Sequence, residues 1–181
     1  MGKHVCPWWF AYTFDNPLRR LLHNSEKIFN PYLKPGMTAI DVGCGMGYFS
    51  IGMAKLVGDS GKVISADLQQ KMLDTLIKRA AKAGVASRIS TVLCDEDNIR
   101  VSKEVDFALA FWMVHEVPDT FSLFSQIHAM LKQTGQLLFT EPKFHVSKSE
   151  YKRTLSIAYE SGFKLIDNPS ICCSYAALLQ K

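Results

Sequence analysis

From about residue 38 onward, short runs of β-branched and other apolar residues alternate with longer stretches whose apolar positions recur at helical spacing. Turn-forming residues, including the run from Gly58 to Gly61, stand between them. This alternation predicts βαβ units, which build a mainly parallel sheet covered by helices. We predict strands at 38–42, 62–66, 89–93, 105–110, 136–140, 163–166 and 171–179, and helices at 49–56, 70–82, 120–131 and 148–161.

Two of these elements show the pattern most clearly. The helix predicted at 70–82 carries on one face Met72, Leu73, Leu76, Ile77 and Ala80. The strand predicted at 105–110 is apolar on both faces, which is typical of a strand in the middle of a parallel sheet. Near the end of the chain, the Asn-Pro-Ser sequence at 168–170 predicts a hairpin-like turn before the last strand. We therefore expect a single α/β domain.

The first 30 residues stand outside this alternation. One short run in this segment holds five aromatic rings: Trp8, Trp9, Phe10, Tyr12 and Phe14. We expect residues 1–30 to form a helical lid over the carboxyl edge of the sheet, and residues 31–181 to form the domain below it. The rings either line an apolar substrate pocket or only bury sheet surface, and the sequence leaves both interpretations open.

Composition and charge exclude several classes of protein. The 181 residues are 48% hydrophobic, and the net charge of +4 comes from scattered basic residues, so no nucleic-acid partner is expected. The five cysteines lack the spacing of a secreted disulfide scaffold, and no signal-peptide run or membrane-spanning apolar stretch is present. We expect a cytoplasmic protein without stable membrane association. A transient interfacial helix at 18–22 stays open, and the oligomeric state is not indicated.

A glycine-rich loop follows the first predicted strand. Gly43, Gly45 and Gly47 occupy alternate positions between that strand and the next helix. Glycine lets backbone amides approach a ligand closely, and the N-terminus of a helix offers further N–H groups and a positive dipole. Such a loop suits either the pyrophosphate of a dinucleotide or the methionine part of S-adenosylmethionine.

Three further features favour S-adenosylmethionine. Tyr48 stands where a dinucleotide-binding fingerprint needs its last glycine. Asp41 precedes the loop, where a carboxylate can orient the turn and lie near the cofactor's ammonium group. Asp67 follows the second strand and can accept hydrogen bonds from both ribose hydroxyls, and Asp95 follows the third strand, within reach of the adenine amino group. Ligands of open α/β sheets bind at these strand ends.

Over about residues 31–181, this arrangement resembles the class I S-adenosylmethionine-dependent methyltransferases, in particular the small-molecule group that includes ubiquinone/menaquinone and arsenite methyltransferases. The resemblance implies a Rossmann-like, doubly wound sheet of seven strands, mostly parallel with an antiparallel last strand. It also implies that the glycine loop, with Cys44, binds the methionine part, and that Asp67 and Asp95 bind ribose and adenine. Leu68 and Glu96 then flank the adenine, and Phe111 contacts the cofactor from the fourth strand.

The methyl acceptor is expected at the end of the fourth strand. Trp112 and His115 lie there, and rings from the lid, Trp8, Trp9, Tyr12 and Phe14, are candidates for the same pocket. His115 is either a general base or substrate-orienting group, or a histidine that packs the cofactor loop. Catalysis is expected to come mainly from positioning and desolvation, since methyl transfer needs no covalent nucleophile. The sequence at 111–114 lacks the proline-containing motif of nucleobase amino methyltransferases, so a small-molecule substrate is expected.

Other functions stay open at this point. A non-catalytic S-adenosylmethionine-binding module would show the same cofactor residues, and an NAD-dependent oxidoreductase would share the glycine loop and the acid after the second strand. We expect no metal. The alternative is a soft metal or metalloid held by some of His4, Cys6, Cys94, His115, Cys172 and Cys173, since thiolates suit such centres.

Overall fold

The computed structural model describes residues 22–181. The aromatic residues predicted for the lid, and the segment at 18–21, therefore lie outside the described residues. In the part of the chain that is described, no helix is long and apolar enough to cross a membrane.

Strands and helices alternate along the described chain, as predicted. The strands are β1 Thr38–Val42, β2 Lys62–Asp67, β3 Ile89–Leu93, β4 Val105–Phe111, β5 Leu131–Pro142, β6 Lys164–Asp167 and β7 Ser174–Gln180. The α-helices are α1 Ser25–Phe29, α2 Tyr48–Val57, α3 Gln70–Lys82, α4 Thr120–Met130 and α5 Lys148–Glu160. Short 3₁₀ turns occur at Ala86–Arg88 and Val114–Glu116.

The seven strands form one sheet in the order β3-β2-β1-β4-β5-β7-β6. Strands β1 to β5 pair in parallel, whereas β7 runs antiparallel to both β5 and β6. The predicted seven-stranded, mostly parallel Rossmann-like sheet is thus confirmed. The strand order reverses between β1 and β4, and open α/β sheets bind ligands beside such a switch point.

Apolar side chains cover both faces of the sheet. On one face, α1, α2 and α3 bury residues such as Phe29, Met53 and Leu76 against the strands. On the other face, α4 and α5 contribute Phe124 and Tyr151, among others. A fully buried side chain of this size stabilises a fold by about 1.5–3 kcal/mol through removal from water. This packing on both faces fixes the sheet, so its strand ends can hold the residues of a site in place.

The described end of the predicted lid segment packs into this core. Phe29 of α1 is fully buried and meets the rings of Phe49 and Phe107 edge-on. Asn24 caps α1 by accepting a hydrogen bond from the Lys27 amide. Residues 25–29 are therefore part of the layer that covers the sheet.

Two predicted element boundaries differ from the structure by three residues or more. Strand β5 begins at Leu131, five residues before the predicted start, because Leu131 pairs with Val105 across a register shift, and α4 accordingly ends at Met130. Strand β7 begins at Ser174 and not at 171, because the Ser174 amide donates to the Ile171 carbonyl and closes a turn first. Both departures come from contacts distant in sequence or from turn geometry.

Candidate active site

A cavity of about 660 Å³ opens at the carboxyl ends of the parallel strands. This volume lies within the range of small-molecule and cofactor sites. Most of its wall comes from the carboxyl ends of β1 to β5 and the residues that follow them. In chain order these are residues 41–46, 66–69, 94–99, 111–113 with 115–119, and Pro142 with Phe144 and His145. The cavity therefore lies at the switch point and collects side chains that are far apart in sequence.

The three glycines of the loop all have left-handed backbones, with φ of 69° at Gly43, 53° at Gly45 and 82° at Gly47. Their surroundings differ. A Cβ atom on Gly43 would lie 2.9 Å from the Met113 side chain, whereas one on Gly45 would meet nothing within 4 Å. Gly45 therefore leaves its backbone open to the cavity, where a ligand can approach it closely.

Gly47 is placed differently from Gly43 and Gly45. It does not line the cavity, unlike the other predicted cofactor residues of the described chain. A Cβ atom on Gly47 would lie 2.4 Å from Cγ of Leu76, so this glycine allows the start of α2 to pack closely on α3. The spacing of the glycines along the chain does not indicate which of them faces the cavity and which faces a helix.

Asp67 holds the glycine loop in place from the end of β2. Its Oδ2 accepts a 2.8 Å hydrogen bond from the Gly45 amide, and its Oδ1 accepts one of 2.9 Å from the Gln69 amide. Burial raises the pKa of this carboxyl group above its ordinary value, although the backbone donors at Gln69 and Gly45 act in the opposite direction. The carboxylate thus lies on the cavity wall, against the glycine loop.

Asp41 fixes the other side of the loop. It is 2% exposed, and its Oδ2 accepts a 2.6 Å hydrogen bond from the Ser50 hydroxyl on α2. Charge-assisted hydrogen bonds of this kind are stronger than neutral ones, particularly where water is excluded. Asp41 therefore holds the N-terminus of α2 beside the cavity. Asp41 and Tyr48, the first residue of α2, both line this cavity.

Asp95, Glu96 and Leu68 line the part of the cavity predicted for adenine. Here Asp95 is paired with Arg100, whose Nε lies 2.5 Å from Oδ2. Both side chains are about half exposed, at 45% and 57%, and exposed ion pairs of this kind contribute only about 0–1 kcal/mol. A ligand that offers a hydrogen-bond donor could therefore exchange with Arg100 at little cost.

Trp112 lines the cavity and has an unusual backbone conformation. It follows Phe111, the last residue of β4, and has a φ of 60°, an uncommon backbone conformation for a bulky residue. Its indole Nε1 donates to Ser174 Oγ at 2.9 Å, and its ring meets Phe144 edge-on. Strained residues of this kind persist where the surroundings fix them, often at functional sites.

His115 is paired with a buried glutamate. Its Nδ1 lies 2.6 Å from Oε2 of Glu141, and Glu141 is 1% exposed. The other oxygen of Glu141 is buried without a hydrogen-bond partner among the described residues. In the tautomer whose Nδ1–H donates to the carboxylate, Nε2 is the atom of the neutral ring that can accept a proton. His145 lies beside this pair, with 4.9 Å between the two imidazole centroids.

Sequence reasoning missed Glu141 and His145. The available signal was an ionisable residue, Glu141, at the end of a mostly apolar run that begins at Leu137, with His145 four positions further on. A strand end with such a carboxylate lies on the same sheet edge as the glycine loop, so it could have been added to the site.

The cysteines at the cavity are poor nucleophiles. Burial raises the pKa of Cys44 well above its usual range, and burial with the nearby Asp67 raises that of Cys94 to about 11. Both thiols therefore stay protonated near neutral pH, which fits a reaction without covalent catalysis. Across residues 22–181, no three His, Cys, Asp or Glu side chains gather in a way that could hold a metal ion, and His4 and Cys6 lie outside that range.

The sequence of residues 33–167 matches the family model described as a methyltransferase domain. The chain belongs to the methyltransferase-domain family. Among its relatives, a demethylmenaquinone methyltransferase of Lactobacillus johnsonii is 29% identical over 75% of this chain and 54% of its own length. The ubiquinone/menaquinone biosynthesis C-methyltransferase UbiE of Shewanella oneidensis is 26% identical over 65% of this chain and 49% of its own. The chain thus spans about half the length of these curated relatives.

The fold agrees with this assignment. A SAM-dependent methyltransferase from Aquifex aeolicus superimposes with a TM-score of 0.83 at 22% identity, covering 97% of this chain and 98% of its own. The predicted class I S-adenosylmethionine-dependent family is therefore confirmed, together with S-adenosylmethionine as its cofactor. The NAD-dependent alternative is set aside, because the family differs and Tyr48 occupies the position of the missing glycine.

Proposed function

We propose that this methyltransferase transfers the methyl group of S-adenosylmethionine to a small-molecule acceptor, with His115 as general base and Glu141 as the residue that positions it. The observation that carries the proposal is the 2.6 Å contact between His115 and the buried Glu141, made on the wall of the cavity that also exposes the glycine loop. The same wall thus combines a cofactor cradle with a proton acceptor.

The cofactor is proposed to lie along the strand ends from β1 to β3. The open backbone around Gly45 suits the methionine part, because no side chain stands between this backbone and a ligand in the cavity. Asp67 suits the ribose hydroxyls, while Asp95, Leu68 and Glu96 suit the adenine. Phe111 closes the cofactor side of the cavity, next to Trp112.

The acceptor is proposed to lie between Trp112 and His115. Bound S-adenosylmethionine supplies an electrophilic methyl group on a sulfonium. His115 Nε2 takes the proton from the acceptor atom, and the carboxylate of Glu141 stabilises the imidazolium that forms. The aromatic and apolar walls hold the acceptor in line and exclude water. An acceptor with a hydroxyl, thiol or acidic C–H group fits this arrangement.

A small molecule is supported by the size of the cavity and by the names of the relatives, which include a demethylmenaquinone methyltransferase. We also propose that the part of residues 1–30 that precedes α1 acts as the lid. The described chain starts next to two residues that line the cavity, since the buried His23 contacts the rings of both Phe111 and Trp112 edge-on. A cytoplasmic location remains part of the proposal and is supported by the composition alone.

The test compares His115→Gln and Glu141→Gln with His128→Gln, a matched histidine variant on α4 whose side chain does not line the cavity. Methyl transfer from labelled S-adenosylmethionine is first measured over a panel of hydroxyl, thiol and carbon-acid acceptors. We expect His115→Gln to lower kcat by about 10²–10⁴-fold and Glu141→Gln to lower it less, with altered pH profiles. Affinity for S-adenosylhomocysteine should stay unchanged in all three.

Full turnover and an unchanged pH profile in His115→Gln would contradict the role of His115 as the general base. Binding of the cofactor without turnover on any acceptor would instead favour the non-catalytic module. A Glu141→Asp variant separates positioning from folding, because a shorter carboxylate keeps the charge but weakens the contact and should give intermediate rates.

A further inference from the structure

Cys172 and Cys173 form an exposed pair of adjacent thiols just before β7. Their sulfur atoms lie 3.5 Å apart, and both side chains are exposed. They occupy the middle of the turn in which the Ser174 amide donates to the Ile171 carbonyl, and Cys173 has a left-handed backbone with a φ of 57°. The proposed methyl transfer makes no use of this pair.

The turn is directly bonded to the acceptor end of the cavity. The Cys172 carbonyl accepts hydrogen bonds from Ser174 Oγ at 3.1 Å and from His23 Nε2 at 2.9 Å. Ser174 Oγ in turn accepts the 2.9 Å bond from the Trp112 indole. The Cys172 carbonyl is therefore one hydrogen-bonded group away from a residue that lines the cavity.

A second connection runs through the other cysteine. The Cys173 carbonyl accepts a 2.9 Å hydrogen bond from the Lys143 amide. Lys143 lies between Pro142 and Phe144, which both line the cavity, and Phe144 packs edge-on against Trp112. Movement of this turn would therefore reach the acceptor end by two routes.

We propose that Cys172 and Cys173 are a thiol–disulfide modification site that controls the acceptor end of the cavity. In the first step, one cysteine thiolate attacks a low-molecular-weight disulfide and forms a mixed disulfide, which releases one thiol. The second cysteine then attacks the bound cysteine sulfur and releases the second thiol. Two cysteine thiols are oxidised, one disulfide is reduced, and the two protons leave with the released thiols.

Closure must deform the turn. A disulfide bond is about 2.05 Å long, so the sulfur atoms have to approach by roughly 1.5 Å from their 3.5 Å separation. Adjacent Cα atoms are also only about 3.8 Å apart, which is below the usual span of about 4.4–6.8 Å for a disulfide. Strained disulfides are more readily reduced, so the modification should be reversible by thiols.

The regulatory part of this inference rests on the proposed function, whereas disulfide formation does not. The test treats the full chain with oxidised glutathione and follows the tryptic peptide 165–181, which contains both cysteines and no other. Wild-type protein should lose two hydrogens in this peptide and regain them with dithiothreitol. Methyl transfer should fall by about tenfold or more and recover, since a misplacement of about 1 Å at an active site costs up to about 10²-fold.

Cys172→Ser and Cys173→Ser serve as matched variants. Each single variant should keep the wild-type rate when reduced and should stop at the mixed disulfide with glutathione, because it lacks the second thiol. The double variant should also keep the wild-type rate and should not lose activity reversibly with oxidised glutathione. Cys6, Cys44 and Cys94 remain in the double variant, so a loss of activity there equal to that of the wild type would overturn the assignment to the pair. If the 165–181 peptide does not lose two hydrogens, Cys172 and Cys173 are not a disulfide site. If the disulfide forms but the rate of methyl transfer stays unchanged, the disulfide does not control the acceptor end of the cavity.

Discussion

Gly43, Gly45 and Gly47 share a left-handed backbone, but the space beside each of them differs. Only Gly45 faces open space, whereas Gly43 faces the Met113 side chain and Gly47 faces Leu76. An added methyl group therefore has a different consequence at each position, and the consequences can be measured separately as ligand affinity and as stability.

Gly45→Ala is expected to weaken S-adenosylhomocysteine binding by tenfold or more, because its methyl group projects into the cavity. Its unfolding free energy should fall by only about 1–2 kcal/mol, the cost of a left-handed alanine. Gly47→Ala should lose that amount and about 1–3 kcal/mol more, because its Cβ atom would lie 2.4 Å from Leu76 Cγ. Titration calorimetry and denaturant unfolding of the unliganded proteins check both values. Normal affinity in Gly45→Ala, or equal stability of the two variants, would contradict these roles.

Individual residues were predictable where the signal is local. The glycine loop, Asp41 and Asp67 all lie at strand ends that the hydrophobic pattern locates, and all of them except Gly47 line the cavity. The pairing of Glu141 with His115 could not be found in this way, because the two residues are 26 positions apart and meet only when β5 lies beside β4. The fold decides which strand ends lie side by side, and the spacing of residues along the chain does not show this.

At the level of elements, α1 and α2 approach each other at Gly52. A glycine within a helix usually costs up to about 1 kcal/mol relative to alanine. Here a Cβ atom on Gly52 would lie 2.3 Å from Ser25 Oγ and 2.4 Å from Ser25 Cβ. Rotation of the serine side chain cannot relieve the second contact, because Cβ is attached directly to the backbone of α1.

Gly52→Ala is therefore expected to destabilise the protein by about 1–3 kcal/mol, in spite of the better helix propensity of alanine. Adding Ser25→Gly should recover most of that loss, since it removes the atoms that collide. Denaturant unfolding of both single variants and the double variant gives the coupling free energy. Additive losses, with no coupling between the two positions, would show that the helices adjust without cost.

Element types were predicted better than element boundaries. Regular apolar spacing located seven strands and the helices that cover them, because each element needs one apolar face. The polar residues Lys132, Gln133 and Thr134 hid the start of β5, since they are exposed in the structure although β5 begins at Leu131. The turn at Cys172 and Cys173 hid the start of β7, because neither residue is a usual choice for a left-handed position.

For the whole molecule, the strand order decides which residues meet. Placing β4 beside both β1 and β5 brings the glycine loop, Trp112 and Glu141 to one edge of the sheet. The same order brings the turn before β7 next to the segment after β5. Because this fold serves many methyl acceptors, the acceptor has to be inferred from the residues at that edge and not from the topology.

The most direct measurement is a crystal structure of the protein with S-adenosylhomocysteine. We expect the homocysteine part to lie on the loop at Gly43 to Gly45 and the ribose hydroxyls to contact the Asp67 carboxylate. The sulfur atom should face the space between Trp112 and His115. That space should have room for an acceptor atom within hydrogen-bond distance of His115 Nε2. A ligand whose sulfur is separated from His115 by protein, or which binds away from the glycine loop, would contradict the proposed site.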